Sequence, residues 1–306
     1  MSRYDDLMAF EFPELRQTYT ERDTMLYALG VGAGQDPVDP LGLRLTYEKD
    51  LVAIPSMAVT LAYPGFWYRD LSPGLDFLRT VHGSERFEIF RSLPVAATVV
   101  AKPKMAAIYD KGEGHGSLVV SQRDVRDVAT GELLARVTQT AFCRGDGGLG
   151  GPMMRAPSPQ KIPDTSPDLS FGCPTLAQAA MIYRLSGDYN PLHVDPGFAV
   201  AAGFDRPILH GLSTYGHICC HLMRLGDPCS NRVVDMDCRF TAPLFPGENF
   251  QLQVWQRGHE ALFRAHVGDR RIIDNGICRF EHDIAKTGTE LMVDLFTVVP
   301  DLLERL

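Results

Sequence analysis

Two things are absent from this 306-residue chain: a long uncharged apolar stretch, and any run of lysine or arginine. The first absence leaves no segment of the roughly 20 apolar residues that a membrane-spanning helix needs. The second, with a net charge of -8 and a pI near 5.6, argues against a nucleic-acid surface or a polybasic membrane patch. No basic segment leads into a signal-length apolar run at the N-terminus, and the last residues, LLERL, do not match an SKL-type signal. The expected compartment is the cytoplasm, and neither nucleic acid nor membrane is an expected partner.

Other chemistries are missing by motif. The seven cysteines (143, 173, 219, 220, 229, 238 and 278) are odd in number and lack CxxC spacing, which suits reduced thiols better than disulfides or a zinc ribbon. GVGAG at 30 to 34 follows a helical pattern and lacks the full GxGxxG of a dinucleotide loop. GLSTYG is not the GxSxG of a serine hydrolase. His217 and His221 stand four apart beside Cys219 and Cys220, but without the glutamate of HExxH, so packing within a buried helix is expected and no metal.

What is present is an ordinary globular composition, 45% hydrophobic and 22% charged, enough for one large domain or two average ones. From Arg144 to Asp168 a Gly-, Pro- and Ser-rich connector divides the chain into equal halves. Residues 1–150 make the first unit, 151–168 the linker and 169–306 the second unit. The halves echo each other: YALGVGAGQDP (27 to 37) resembles YRLSGDYNPLHVDP (183 to 196), and FEIFRSLPVAATV (87 to 99) resembles CRFTAPLFPGENFQLQV (238 to 254). Tyr27 and Tyr183 are 156 positions apart, which implies an internal duplication.

Each half closes in alternating or β-branched runs bounded by Gly, Pro or Asp: 86–92, 96–109, 116–127 and 133–143, then 232–241, 249–257, 261–267 and 271–281. ILHGLSTYGHICCHLMRLG (208 to 226) is apolar nearly all round and predicts a long buried helix. A helix followed by antiparallel strands, repeated, implies an α+β fold with a sheet wrapped on helices.

The chemistry concentrates in SGDYNPLHVDP (186 to 196). TLAQAAMIYRLS predicts a helix ending at Gly187, and Asp195-Pro196 predicts the N-cap and first residue of another. Asp188, Asn190 and His193 then share a short loop whose course Pro191 restricts. Such groups can simply satisfy a turn, but the matching GVGAGQD of the first half lacks both the acid and the histidine. An Asp and a His held together can share the proton movements of adding water to an activated double bond. Gly211 supplies a helix-start amide to polarise a carbonyl.

The segment YRLSGDYNPLHVDPGFAVAAGFDRPILHGLSTYG resembles the hydratase 2 signature of the (R)-specific enoyl-CoA hydratases, within the MaoC-like dehydratases. YALGVGAG, VHGSERFEIFRSLP, YDKGEG and FCRGDGGLGG resemble the hydratase unit of the peroxisomal multifunctional enzyme type 2. The resemblance implies a double hot-dog fold, two repeats of a long helix wrapped by an antiparallel sheet. It implies a hydro-lyase adding water to trans-2-enoyl-CoA to give (3R)-3-hydroxyacyl-CoA, with no cofactor beyond the CoA of the substrate, and a homodimer.

By the same resemblance Asp188 and His193 are the catalytic pair, Asn190 orients the pair and its water, and the Gly211 amide polarises the thioester. Contacts to the acyl-CoA fall on His82, Gly83, Lys111, Tyr189, Pro191, Leu192 and Phe240. A cationic Lys111 also suits the CoA phosphates on an acidic protein. The chain departs from the pattern at HGSERFE, where HGEQ is the family form, and a free-standing hydratase is expected. Phe66, Trp67, Phe77 and Leu78 are candidates to line acyl-chain space or to be plain core. A hot-dog thioesterase and a non-catalytic acyl-CoA-binding module are the competing expectations.

Overall fold

A computed structural model describes residues 2–152 and 154–284. Among the described residues eleven strands form one antiparallel sheet: β1 (Leu15–Tyr19), β2 (Thr80–Ile89), β3 (Ala97–Ala101), β4 (Lys104–Asp110), β5 (Ser117–Asp127), β6 (Leu133–Cys143), β7 (Leu169–Cys173), β8 (Val233–Phe240), β9 (Phe250–Arg257), β10 (Glu260–Val267) and β11 (Arg270–Phe280). The spatial order is β1-β3-β5-β6-β2-β8-β11-β10-β9-β7, with β4 attached to β5. Taken outward from the β2/β8 seam, and leaving β4 aside, the five strands of each half follow the same succession, so the duplication read in the sequence is repeated in the topology. At the seam Ser84 faces Arg239 and Glu88 faces Asp235. The Arg86 guanidinium ion-pairs with Asp235 across it.

Alternation explains the strands: β5 buries every second residue from Ser117 to Val125 and turns the intervening ones outward. The predicted run 96–109 is two strands rather than one, because Pro103 cannot donate to a ladder. Strands β1 and β7 at the sheet edges, five residues each, escaped the pattern reading because so few alternations fit within them.

The sheet wraps the helix Gly211–Leu222, whose residues from Leu212 to Cys220 are all buried. Burying Ile218 and Leu222 completely stabilises the fold by roughly 1.5–3 kcal/mol for each side chain. The polar members are tied: Ser213 Oγ donates to the Gly30 carbonyl at 2.9 Å and the Tyr215 hydroxyl donates to the Met236 carbonyl. Gly216 is required by space, since a Cβ there would stand 2.8 Å from the Tyr27 hydroxyl.

Besides β4, which has no counterpart in the second half, the first half differs in its central helix. Where a second long helix was expected, a six-residue 3-10 helix, Pro55–Thr60, lies buried from Ser56 to Thr60. Pro55 and Pro64 bracket this segment and leave no room for a three-turn helix. Its carbonyls are met instead by Arg123 of β5, 4% exposed, which donates to Leu61 at 3.2 Å, to Ala58 at 3.4 Å and to Val59. A separate core cluster joins Phe12, Trp67, Ile108 and Val119. Trp67 is fully buried there against Phe12 and Tyr68, and so belongs to the core. Phe66 and Phe77 meet edge-on at 5.9 Å, whereas Leu78 is 54% exposed.

Candidate active site

The helical stretch through Tyr183 tightens to a 3-10 turn, Arg184–Ser186, and ends at Gly187 with φ +119°. That left-handed residue turns the chain inward, so the next one, Asp188, is buried. Asp188 accepts from the Asn190 amide at 3.3 Å, and Asn190 Oδ1 accepts from the Leu192 amide at 3.1 Å. Pro191–His193 is a 3-10 turn, and Asp195 then caps the helix Pro196–Ala201 through the amides of Gly197 and Phe198. A polar loop inside the fold is tolerated because its own side chains satisfy its backbone.

His193 is buried, and its Nδ1 sits 2.9 Å from the Ile208 carbonyl. A carbonyl can only accept, so Nδ1 carries the proton and Nε2 presents a lone pair. Burial lowers the His193 pKa below its ordinary value, with the Asp188 charge opposing that shift. The ring is therefore neutral at pH 7 and able to take a proton. Ligand-capable atoms of Asp188, His193 and His210 all lie within 4.8 Å of one another. His210 immediately precedes the helix start at Gly211, whose amide has no acceptor one turn earlier.

Phe240 covers Gly211 so closely that an added Cβ would meet its ring at 3.0 Å. The Phe240 ring also meets His82, with ring centroids 4.6 Å apart. His82 Nε2 approaches Glu85, a carboxylate 1% exposed, at 2.8 Å. Gly83 packs against the Thr140 carbonyl, where a Cβ would stand at 3.1 Å. Thus Asp188, Asn190, His193, Gly211, Phe240, His82 and Gly83 gather around the β2/β8 seam. Pro191 and Leu192 are half-buried on the loop. Lys111 is exposed further out, its ammonium 4.1 Å from the Phe142 ring centroid, and Arg144 approaches the same ring at 5.9 Å. Tyr189 points outward, 58% exposed beneath the Arg184 guanidinium.

Three residues of this neighbourhood carry no signal in the sequence. His210 hides within the apolar ILHGL, and Glu85 and Arg123 look like the solvent face of their strands yet are 1% and 4% exposed. They lie against the buried segment around Tyr63, over whose ring Arg123 sits at 5.6 Å. His217 and His221 bring ligand atoms within 4.8 Å of Cys173, but their rings pack on Phe250 and Phe171. Burial lowers their pKa values to about 3 and about 4.

A double hot-dog fold defines a class, and the comparisons agree with it. The MaoC like domain matches residues 158–275 and the MFE-2 hydratase 2 N-terminal domain matches residues 17–145. The chain is 37% identical over 275 residues to 3-hydroxyacyl-thioester dehydratase Y of Mycobacterium tuberculosis, covering 86% of this chain and 93% of that one. It is 37% identical over 292 residues to the peroxisomal enoyl-CoA hydratase 2 of Arabidopsis thaliana, covering 87% and 91%. A MaoC-like dehydratase from Phytophthora capsici superposes with a TM-score of 0.79 at 32% identity, covering 91% of this chain and 99% of that one. At 15% identity and a TM-score of 0.55, a Mycobacterium tuberculosis protein described as a double hotdog shares the fold, with coverage of 90% and 97%. The chain belongs to the MaoC-like dehydratase family, in its two-repeat hydratase 2 branch.

Proposed function

We propose that this chain is an (R)-specific 2-enoyl-CoA hydratase, a hydro-lyase that reversibly adds water to trans-2-enoyl-CoA to give (3R)-3-hydroxyacyl-CoA. The observation that carries the reading is the buried Asp188 beside a neutral His193 whose Nδ1 is locked on the Ile208 carbonyl. Nε2 is then the reacting atom of the ring. Two relatives named for enoyl-CoA hydration and 3-hydroxyacyl-thioester dehydration support the same chemistry.

In this mechanism the thioester carbonyl accepts from the Gly211 amide at the positive end of the central helix. Its oxygen takes up charge as the oxygen of water bonds to Cβ, and the water proton and the proton delivered to Cα pass through the Asp188/His193 pair. The two act as one unit in moving these protons, and Asn190 holds their loop and orients the water. Acid-base assistance of this kind is worth roughly 10²–10⁴-fold. Lys111 and Arg144 about the Phe142 ring supply cations for the CoA phosphates, and Phe240, His82, Gly83, Tyr189, Pro191 and Leu192 line its path.

No cofactor enters this reaction beyond the CoA of the substrate. Seven free cysteines suit a reducing compartment, with the cytoplasm proposed, and among the described residues no helix is long and apolar enough to cross a membrane. A homodimer is proposed, and the mass of the purified protein in solution tests it.

The test is loss of enoyl absorbance with crotonyl-CoA and longer enoyl-CoAs, followed by chiral analysis of the product. Hydration to the 3R isomer that disappears in His193→Ala supports the reading. Release of free thiol instead would identify a thioesterase, and binding without turnover a carrier module.

A further inference from the structure

His210 is absent from the mechanism above, yet it meets His193, Asp188 and the helix start at Gly211. Its ring stacks on His193 with centroids 3.7 Å apart and planes inclined by 27°. Its Nε2 sits 3.1 Å from the Asp188 carbonyl, which can only accept, so Nε2 carries the proton. Its own backbone is the N-cap of the central helix, leading directly into the Gly211 amide. The remaining nitrogen, Nδ1, is buried without a hydrogen-bond partner among the described residues, an arrangement a protein disfavours unless the rest of the side chain is needed.

The internal duplication supplies an independent comparison. Counting back the 156 residues that separate Tyr183 from Tyr27, His210 falls on Ile54 and Gly211 on Pro55. Both Ile54 and His210 are N-caps with nearly the same backbone, φ -68°, ψ 129° and φ -55°, ψ 129°. An apolar residue therefore serves the fold at this place. The imidazole occurs in the copy that holds Asp188 and His193.

Resting on the hydratase reading, we propose that His210 is a positioning residue: one neutral imidazole that fixes the plane of His193, the backbone of Asp188 and the helix start at Gly211 in a single register. Stack and donor are separable. The ring face sets where His193 Nε2 points, and the N–H sets where the Asp188 backbone lies. Burial and the neighbouring His193 hold its pKa well below the ordinary histidine value, so His210 stays uncharged while the pair exchanges protons. A displacement of about 1 Å in such a group costs on the order of 10²-fold in rate.

The test uses full-length His210→Ala, His210→Phe, which keeps the stack, and His210→Gln, which keeps an N–H donor, assayed with crotonyl-CoA. His210→Ala is expected to lose about 10²-fold in kcat with KM within about twofold. The other two are expected to recover part of that loss. ¹⁵N NMR of His193 should show a single Nδ1–H tautomer in the wild type and a mixture in His210→Ala, which a purely structural role would not produce. Should His210→Ala misfold, His210→Phe, apolar like the Ile54 copy, carries the test through its kcat and the same NMR signature.

Folded variants with wild-type kcat, or a loss lying entirely in KM, overturn the proposal while an inactive His193→Ala leaves the hydratase reading standing. A wild-type protein without hydration sinks that reading itself.

Discussion

Aligned at 156 residues, the two halves of the chain keep different things. The caps survive: Asp39 precedes Pro40 and accepts from the Gly42 amide at 2.9 Å, as Asp195 precedes Pro196 and accepts from Gly197 at 2.8 Å. The tyrosines survive too, with Tyr27 and Tyr183 in ring contact at 6.0 Å. The proposed reacting groups do not. Asp188 falls on Gly32, Asn190 on Gly34, His193 on Pro37 and Gly211 on Pro55, which has no amide N–H to offer. The scaffold needs turns and caps twice, while the proposed chemistry is built once.

The strongest way to break this comparison is to make the second half resemble the first. Asp188→Gly and His193→Ala are each expected to lower hydration by about 10³-fold or more while circular dichroism stays native. The converse graft should fail: Gly32→Asp asks a side chain to adopt φ +83° with its Cβ 2.8 Å from the His217 ring. It is expected to destabilise without adding activity. Calorimetric titration with a non-hydratable acyl-CoA should give one site per chain, and two sites would contradict the single-copy reading.

Next in size is the amide. Gly211→Pro imitates Pro55, and the backbone of His210 is already in the extended region that a following proline demands. Its effect should be a kcat loss on the order of 10²–10³-fold, the usual cost of one oxyanion donor. Gly211→Ala keeps the N–H and presses Phe240 in the same way, so it serves as the control. Equal losses in both would assign the effect to Phe240 rather than to the amide.

A smaller effect is read from pH. The pKa of His193 is depressed, so the ring, which the proposed mechanism needs uncharged, stays neutral below the ordinary histidine value of about 6.5. The acid limb of kcat/KM should therefore fall at a pH below that value, by about tenfold per unit once past it. Stability has a parallel dependence. His217 and His221 titrate at about 3 and about 4 in the fold, so the unfolded chain binds more protons between there and about 6.5. Stability is full above that window and falls through it on acidification, by as much as about 1.4 kcal/mol per pH unit for each ring. Urea unfolding at pH 7 and pH 5 measures the difference, and a flat profile would contradict the burial of the two rings.

Those histidines also show what was legible beforehand. Periodicity and turn chemistry located the central helix, the strand pattern and the loop 186–196, because these depend on local residue order. Gly187, for instance, could be placed as a left-handed cap from its position after an apolar helix. What stayed hidden depends on distant partners. Arg123 reads as an outward strand residue until the carbonyls of Ala58, Val59 and Leu61 arrive beneath it, and the shortened Pro55–Thr60 helix is intelligible only with that arginine in view. His210 acquires its contacts from Asp188 and His193, 22 and 17 positions earlier in the chain.

The smallest prediction concerns the features the halves share. Asp195 is an exposed cap, so Asp195→Ala should cost about 1 kcal/mol, the typical value for a lost N-cap. Asp39 occupies the same position but is 9% exposed and also accepts two bonds from Arg224, at 2.9 Å and 2.6 Å. That bidentate pair draws the Asp39 carboxyl below its usual pKa. Asp39→Ala removes both charge-assisted hydrogen bonds to Arg224 as well as a cap, so its cost should exceed that of Asp195→Ala by about 1 kcal/mol. Denaturant midpoints of the two variants decide it. Equal losses would mean that Arg224 finds water in place of Asp39, and that the two caps are interchangeable in energy as well as in sequence position.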